Sequence, residues 1–76
     1  MKTKLGKLLK KEFGDKLNYI KVEDGYLDKN IFHIKMIVND YYCGYTIIDK
    51  RIIGIDGMSD VYKVDRINKV LSECFA

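Results

Sequence analysis

His33, Cys43, Cys74 and a scatter of aspartates are the side chains in this sequence best suited to chemistry, and their spacing decides what they could do. A cysteine nucleophile needs a base within hydrogen-bond reach, and His33 is the one imidazole in the chain. If a two-residue turn joins the strands that carry His33 and Cys43, the two side chains leave opposite faces of the sheet, because successive residues on a strand alternate. A three-residue turn would bring them to one face, so their separation rests on that turn. Thirty residues separate Cys43 from Cys74, with no CxxC and no second histidine, so a zinc site would need carboxylates from elsewhere. Without a secretion signal both thiols are expected to stay reduced and to act as small apolar residues in or near a core.

Asp49, Asp56, Asp60 and Asp65 match neither a calcium loop nor a paired-carboxylate motif. Turns account for Asp49 and Asp56, and the first turn of a helix accounts for Asp60. The glycines form no GxGxxG fingerprint and no phosphate-cradling loop ending in GK[ST]. The chain is therefore expected to be non-enzymatic, with no metal and no cofactor.

Charge is distributed unevenly. The net charge is +3, but the first eleven residues hold five lysines and no acid, so the rest of the chain is net −2. On a helix Lys4, Lys7 and Lys11 share the face opposite Leu5, Leu8 and Leu9, and Lys4, Lys7, Lys10 and Lys11 are the candidate phosphate contacts. Twelve lysines against two arginines leave few planar forks for reading base edges, so any nucleic-acid binding is expected to be weak and indifferent to sequence. No run approaches the roughly 18 apolar residues of a spanning helix, so no membrane partner and a cytoplasmic location are expected. Ten Ile and a single Ala beside those lysines suggest an AT-rich coding sequence.

Seventy-six residues, 47% hydrophobic and 33% charged, make one folded domain spanning residues 1–76. Thr3 can cap a first helix over about 4–13, with Leu5, Leu8, Leu9 and Phe13 at helical spacing and Gly14 as its stop. Gly6 inside it costs about 1 kcal/mol relative to Ala, so the helix depends on packing. Residues 17–23 read as a first strand, 31–38 as a second with strict alternation, 41–48 as a third and 52–55 as a fourth. Asn39-Asp40 and Asp49-Lys50 are two-residue turns. Ser59 is the expected N-cap of a second helix over 60–74, whose stripe is Val61, Val64, Ile67, Leu71 and Phe75.

This order predicts an α+β fold: a four-stranded antiparallel meander with two helices on one face, α-β-β-β-β-α. The two-residue turn at Asn39-Asp40 pairs Met36 with Cys43, Ile34 with Tyr45 and Phe32 with Ile47 on the core face. Ile31, His33, Lys35, Ile37, Tyr42, Gly44, Thr46 and Ile48 then occupy the reverse face, unusually apolar for one in water. The order also resembles the double-stranded-RNA-binding domain, whose Gly-Pro-x-His-type loop and Lys-rich last helix have no counterpart in Asp24 to Asn30 or in Ser59-Asp60-Val61-Tyr62. The likeness is one of topology alone.

The expected function is that of an interaction module binding a protein partner, or itself as a homodimer, through Ile31, His33, Lys35, Ile37, Tyr42 and Ile48. A phage or mobile-element accessory protein that inhibits a host enzyme fits such a chain. The alternative is weak nucleic-acid binding through the lysine-rich first helix.

Overall fold

The computed structural model describes residues 2–25 and 30–76. Their order is α1 (Lys2–Phe13), a 3-10 turn (Gly14–Lys16), β1 (Leu17–Asp24), β2 (Ile31–Val38), β3 (Tyr41–Ile48), β4 (Arg51–Gly57) and α2 (Val61–Cys74). The strands form one open antiparallel sheet in the order β1-β2-β3-β4, so the expected α-β-β-β-β-α meander is the observed fold. Residues 26–29, part of the expected loop between the first two strands, lie outside the described residues.

Both inner turns are closed by residues in the left-handed region: Asn39 (φ 52°) and Asp40 (φ 71°), then Asp49 (φ 51°) and Lys50 (φ 68°). That backbone twist matches the twist of the flanking strands, and Asn and Asp tolerate it better than most residues. The first turn sets Met36 opposite Cys43, Ile34 opposite Tyr45 and Phe32 opposite Ile47, the register expected from its length. Phe32, Ile34, Met36, Val38, Cys43, Tyr45 and Ile47 are all buried, and Leu5, Leu9 and Phe13 of α1 and Ile67, Val70, Leu71 and Cys74 of α2 close over them. Burying each large aliphatic stabilises the fold by about 1.5–3 kcal/mol, which offsets the weak intrinsic helicity of a Gly-containing α1.

The helix starts differ from expectation. α1 begins at Lys2, so Thr3 lies within its first turn rather than capping it. Gly14, at φ +56°, does end the helix. Asp60, not Ser59, caps α2: its carboxylate accepts from the Lys63 amide at 2.9 Å. The Ser59 hydroxyl instead meets the Tyr45 hydroxyl at 2.5 Å, a long-range pairing that local sequence does not reveal. Desolvation pushes the Tyr45 phenol up to about 12, so it stays protonated and available as a donor. β4 is longer than expected because Asp56 and Gly57 continue to pair with Gly44 and Cys43 before Gly57 turns the chain at φ +77°.

Glu12 joins the two helices by polar contacts. Glu12 of α1, whose side chain is 11% exposed, accepts a hydrogen bond from Arg66 and ion-pairs with Lys69 at 3.4 Å, both on α2. Arg66 also stacks over the Tyr62 ring, 4.7 Å from its centroid. The Arg66 hydrogen bond holds the Glu12 carboxyl below its ordinary range. A carboxyl depressed in the folded state contributes stability that is present above its unfolded value of 4.5 and lost as pH falls through the folded value. Thermal melts of the wild type and Glu12→Gln should therefore differ at neutral pH, with the variant lower, and converge as the medium is acidified. An unchanging gap would show that Glu12 acts through packing rather than charge.

Candidate functional site

The sheet pairing assembles the face away from the helices row by row. Tyr19, Ile37 and Tyr42 form one row across three strands, and Lys21, Lys35, Gly44 and Asp56 form the next. Glu23, His33, Thr46 and Gly54 form the third, and Ile31, Ile48 and Arg51 form the fourth. All six expected contact residues, Ile31, His33, Lys35, Ile37, Tyr42 and Ile48, thus share one face. The three isoleucines and His33 are half-buried by their neighbours, whereas Tyr42 is 40% exposed and Lys35 is in solvent.

The centre of this face is a shallow depression of about 250 Å³. Gly44 and Gly54 contribute no side chain to its floor, while His33, Lys35, Tyr42, Thr46 and Asp56 stand around it. Tyr42 does not stand upright. Its ring lies along β3 over Gly44, with the hydroxyl 2.6 Å from where a Cβ on Gly44 would sit, and the ring edge is 2.7 Å from the same point on Gly57. A glycine at both places is what lets an aromatic ring lie flat on the sheet. His33 Nδ1 approaches Thr46 Oγ1 at 3.5 Å, at the outer limit of a hydrogen bond.

Charge on this face is locally balanced. Lys21 and Lys35 are direct cross-strand neighbours, an arrangement that repels, and Glu23 lies 3.4 Å from each. Hydrogen bonding and charge from Lys35, then Lys21, hold the Glu23 carboxyl below its ordinary range. Arg51 and Asp56 have no ion-pair partner among the described residues.

Several members of the site were not anticipated from sequence: Tyr19, Glu23, Gly54 and Asp56. Tyr19 shares its face with Lys21 and Glu23, but the register shift between Leu17 and Tyr19 turns Leu17 to the core with Ile20 and Val22 and so obscures which face of β1 is apolar. A second shift places Ile53 and Gly54 together opposite Thr46 and so conceals which β4 residues face the depression. The pairing of glycines with one aromatic two residues away was the available signal.

The reactive residues are kept apart. Cys43 is fully buried on the helix side and His33 lies on the opposite face, so the two cannot form a nucleophile and base pair. Burial pushes both the Cys43 and Cys74 thiols up, which lowers the thiolate fraction that reaction would need. Among the described residues no cluster of three potential metal ligands occurs, and no helix is long and apolar enough to cross a membrane.

The four candidate lysines divide into two sets. Lys7 and Lys10 join Lys2, Thr3 and Gly6 along a groove of about 300 Å³ between α1 and β1, floored by Ile20 and Val22. Lys4 lies toward the end of α2, close enough for its charge to be felt at Cys74, and Lys11 follows it two turns on along the same side of the helix. The lysines wrap the exposed arc of α1 instead of converging.

The two glycines beneath Tyr42 should respond differently to substitution. Gly44→Ala meets the flexible end of Tyr42 and should displace the ring with little loss of stability. Gly57→Ala meets the backbone of Tyr42 and needs a left-handed conformation, so it should cost about 1–3 kcal/mol. Chemical denaturation gives both values, and the ring-current shift on the Gly44 α-protons, lost in Tyr42→Ala, reports the ring's position. Compared with family models, curated proteins and solved structures, the chain finds no match in any of the three.

Proposed function

We propose that this chain is a non-enzymatic interaction module that binds a protein partner through the open face of its sheet. The observation that carries this reading is the row Tyr19, Ile37 and Tyr42 beside the glycine-floored depression. It sets two exposed aromatics and an aliphatic side by side, with Tyr42 on the rim of a concavity in which a partner side chain can be seated. Aromatic anchors next to a pocket, rimmed by balanced charge such as Lys21, Glu23 and Lys35, are the anatomy of a binding hot spot. The reactive residues, by contrast, point into the core or lie far from one another. A stoichiometric binder, inhibitors included, needs no more than such a surface. Two buried cysteines that form no disulfide suit a reducing compartment, which supports a cytoplasmic setting.

The test uses paired baits. Wild-type protein and the variants Tyr42→Ala and Ile48→Asp are immobilised and challenged with extract from the source cells, with thermal melts alongside. Tyr42→Ala should lose a specific partner at nearly unchanged melting temperature, whereas Ile48→Asp should lose it at a moderate cost, since Ile48 is half-buried. Collapse of both variants without any loss of binding in the surviving folded fraction would place the partner elsewhere.

The groove between α1 and β1 favours one second reading, contact with nucleic-acid phosphates through Lys2, Lys7 and Lys10. Binding of this kind should be weak, indifferent to sequence and steeply weakened by salt. Titration of labelled duplex and single strands across a salt series checks it, and tight binding to one sequence at high salt would contradict it.

A further inference from the structure

We propose that β4 is a self-complementary edge, through which two copies of this chain join their sheets antiparallel about a two-fold axis perpendicular to the sheet. β4 ends the sheet, and it carries Ile53 and Ile55 at 62% and 53% exposure, an unusual load for an open edge. Its outward backbone groups can be identified from both ends. The two-residue turn makes Ile48 and Arg51 a hydrogen-bonded pair, so Ile52, opposite Ile47, turns its N–H and C=O to the open edge. From the other end, the Met58 amide donates to the Tyr42 carbonyl at 2.7 Å. Alternation back from that bond leaves Ile55 facing outward as well.

A two-fold axis of this kind keeps each face of the sheet on its own side. In a regular strand it can therefore oppose only residues of equal parity, since residues of unequal parity point to opposite faces. The bulge on β4 changes this. Because Ile53 and Gly54 share one position opposite Thr46, Arg51 and Asp56 lie on the same face, and Ile52 and Ile55 lie together on the other. A bulge ordinarily guards an edge by breaking the alternation that a neighbouring strand requires. Against a copy of itself, the offset occurs on both strands and cancels.

One register centred between Ile53 and Gly54 then satisfies every position. Arg51 faces the partner's Asp56, Ile52 faces the partner's Ile55 with both sets of backbone groups outward, and exposed Ile53 faces the partner's Gly54, which has no side chain in its way. The two-fold repeats each pairing, giving four backbone hydrogen bonds and two ion pairs between side chains that have no ion partner among the described residues of the single chain. Shifting the register by one or two residues places Ile52 or Gly54 opposite a residue of the wrong face. The occupant of this edge is therefore a second copy, and the open faces of the two copies become one continuous platform.

The experiment is a charge exchange followed by sedimentation velocity over a dilution series of the whole chain. Arg51→Asp and Asp56→Arg each set like charges opposite one another twice, and each should weaken self-association by roughly tenfold or more. The double variant R51D/D56R restores opposite charges and should regain most of the wild-type affinity. Hydrogen exchange supplies a readout that a folding defect would not imitate. The Ile52 and Ile55 amides should become protected as concentration rises in the wild type and the double variant, but not in either single variant. A wild type that stays monomeric at its highest attainable concentration, or a double variant no stronger than the singles, would overturn the proposal. So would association abolished by Tyr42→Ala and indifferent to the charge exchange, because that result would assign the contact to the open face.

Discussion

The left-handed pair Asn39 and Asp40 is the constraint on which the rest of the molecule depends. A turn of two residues leaves one register for β2 against β3, and because side chains alternate, that register assigns every residue of both strands to a face. A turn longer by one residue would carry Tyr42 toward the helices and Cys43 toward His33. The separation of buried thiol from imidazole, the burial of Met36 against Cys43 and the row of Tyr42 with Ile37 all follow from the parity of one turn.

Layer geometry converts that parity into a binding surface. Leu5, Leu9 and Phe13 from α1 and Ile67, Val70, Leu71 and Cys74 from α2 close over one face. The Glu12 contact to Arg66 and Lys69 ties the helices to one another on that side, so neither is free to cover the other face. The remaining side chains manage the open face among themselves. Ile31 and Ile48 pair across β2 and β3, Ile37 lies between Tyr19 and Tyr42, Glu23 neutralises the Lys21 and Lys35 pair, and Tyr42 lies down over two glycines. Each arrangement lowers the cost of facing water while leaving a contour that a partner can recognise.

Irregularity at the sheet edges serves the same surface. The shift between Leu17 and Tyr19 turns Leu17 to the core while Tyr19 keeps the open face, and the shift at Thr46 places Gly54 at the floor of the depression with Arg51 and Asp56 on the same side. Bulges re-aim side chains at sheet edges in this way. Here both fall on the outer strands, where no neighbour on the far side has to accommodate them.

The sequence by itself determined the element order, the faces of β2 and β3 and the apolar stripe of α1, while the stripe expected for α2 holds from Val64 onward and fails at Val61, which is exposed. Those features depend on period and on turn chemistry, which neighbouring residues carry: the strict alternation of Ile31 to Val38, the Asn39-Asp40 turn, and Leu5 and Leu9 one helical turn apart. Only the tertiary structure decided where a residue answers to a distant one. Ser59 is drawn from its capping position by the Tyr45 hydroxyl, leaving Asp60 as the cap, and Arg66 reaches across to Glu12 of the other helix. The bulges are of this kind too, because an extra residue in one strand is defined by its partner strand and not by its own neighbours. Gly54 and Asp56 reach the open face through such a shift, and alternation counted from the Asp49-Lys50 turn could not place them there.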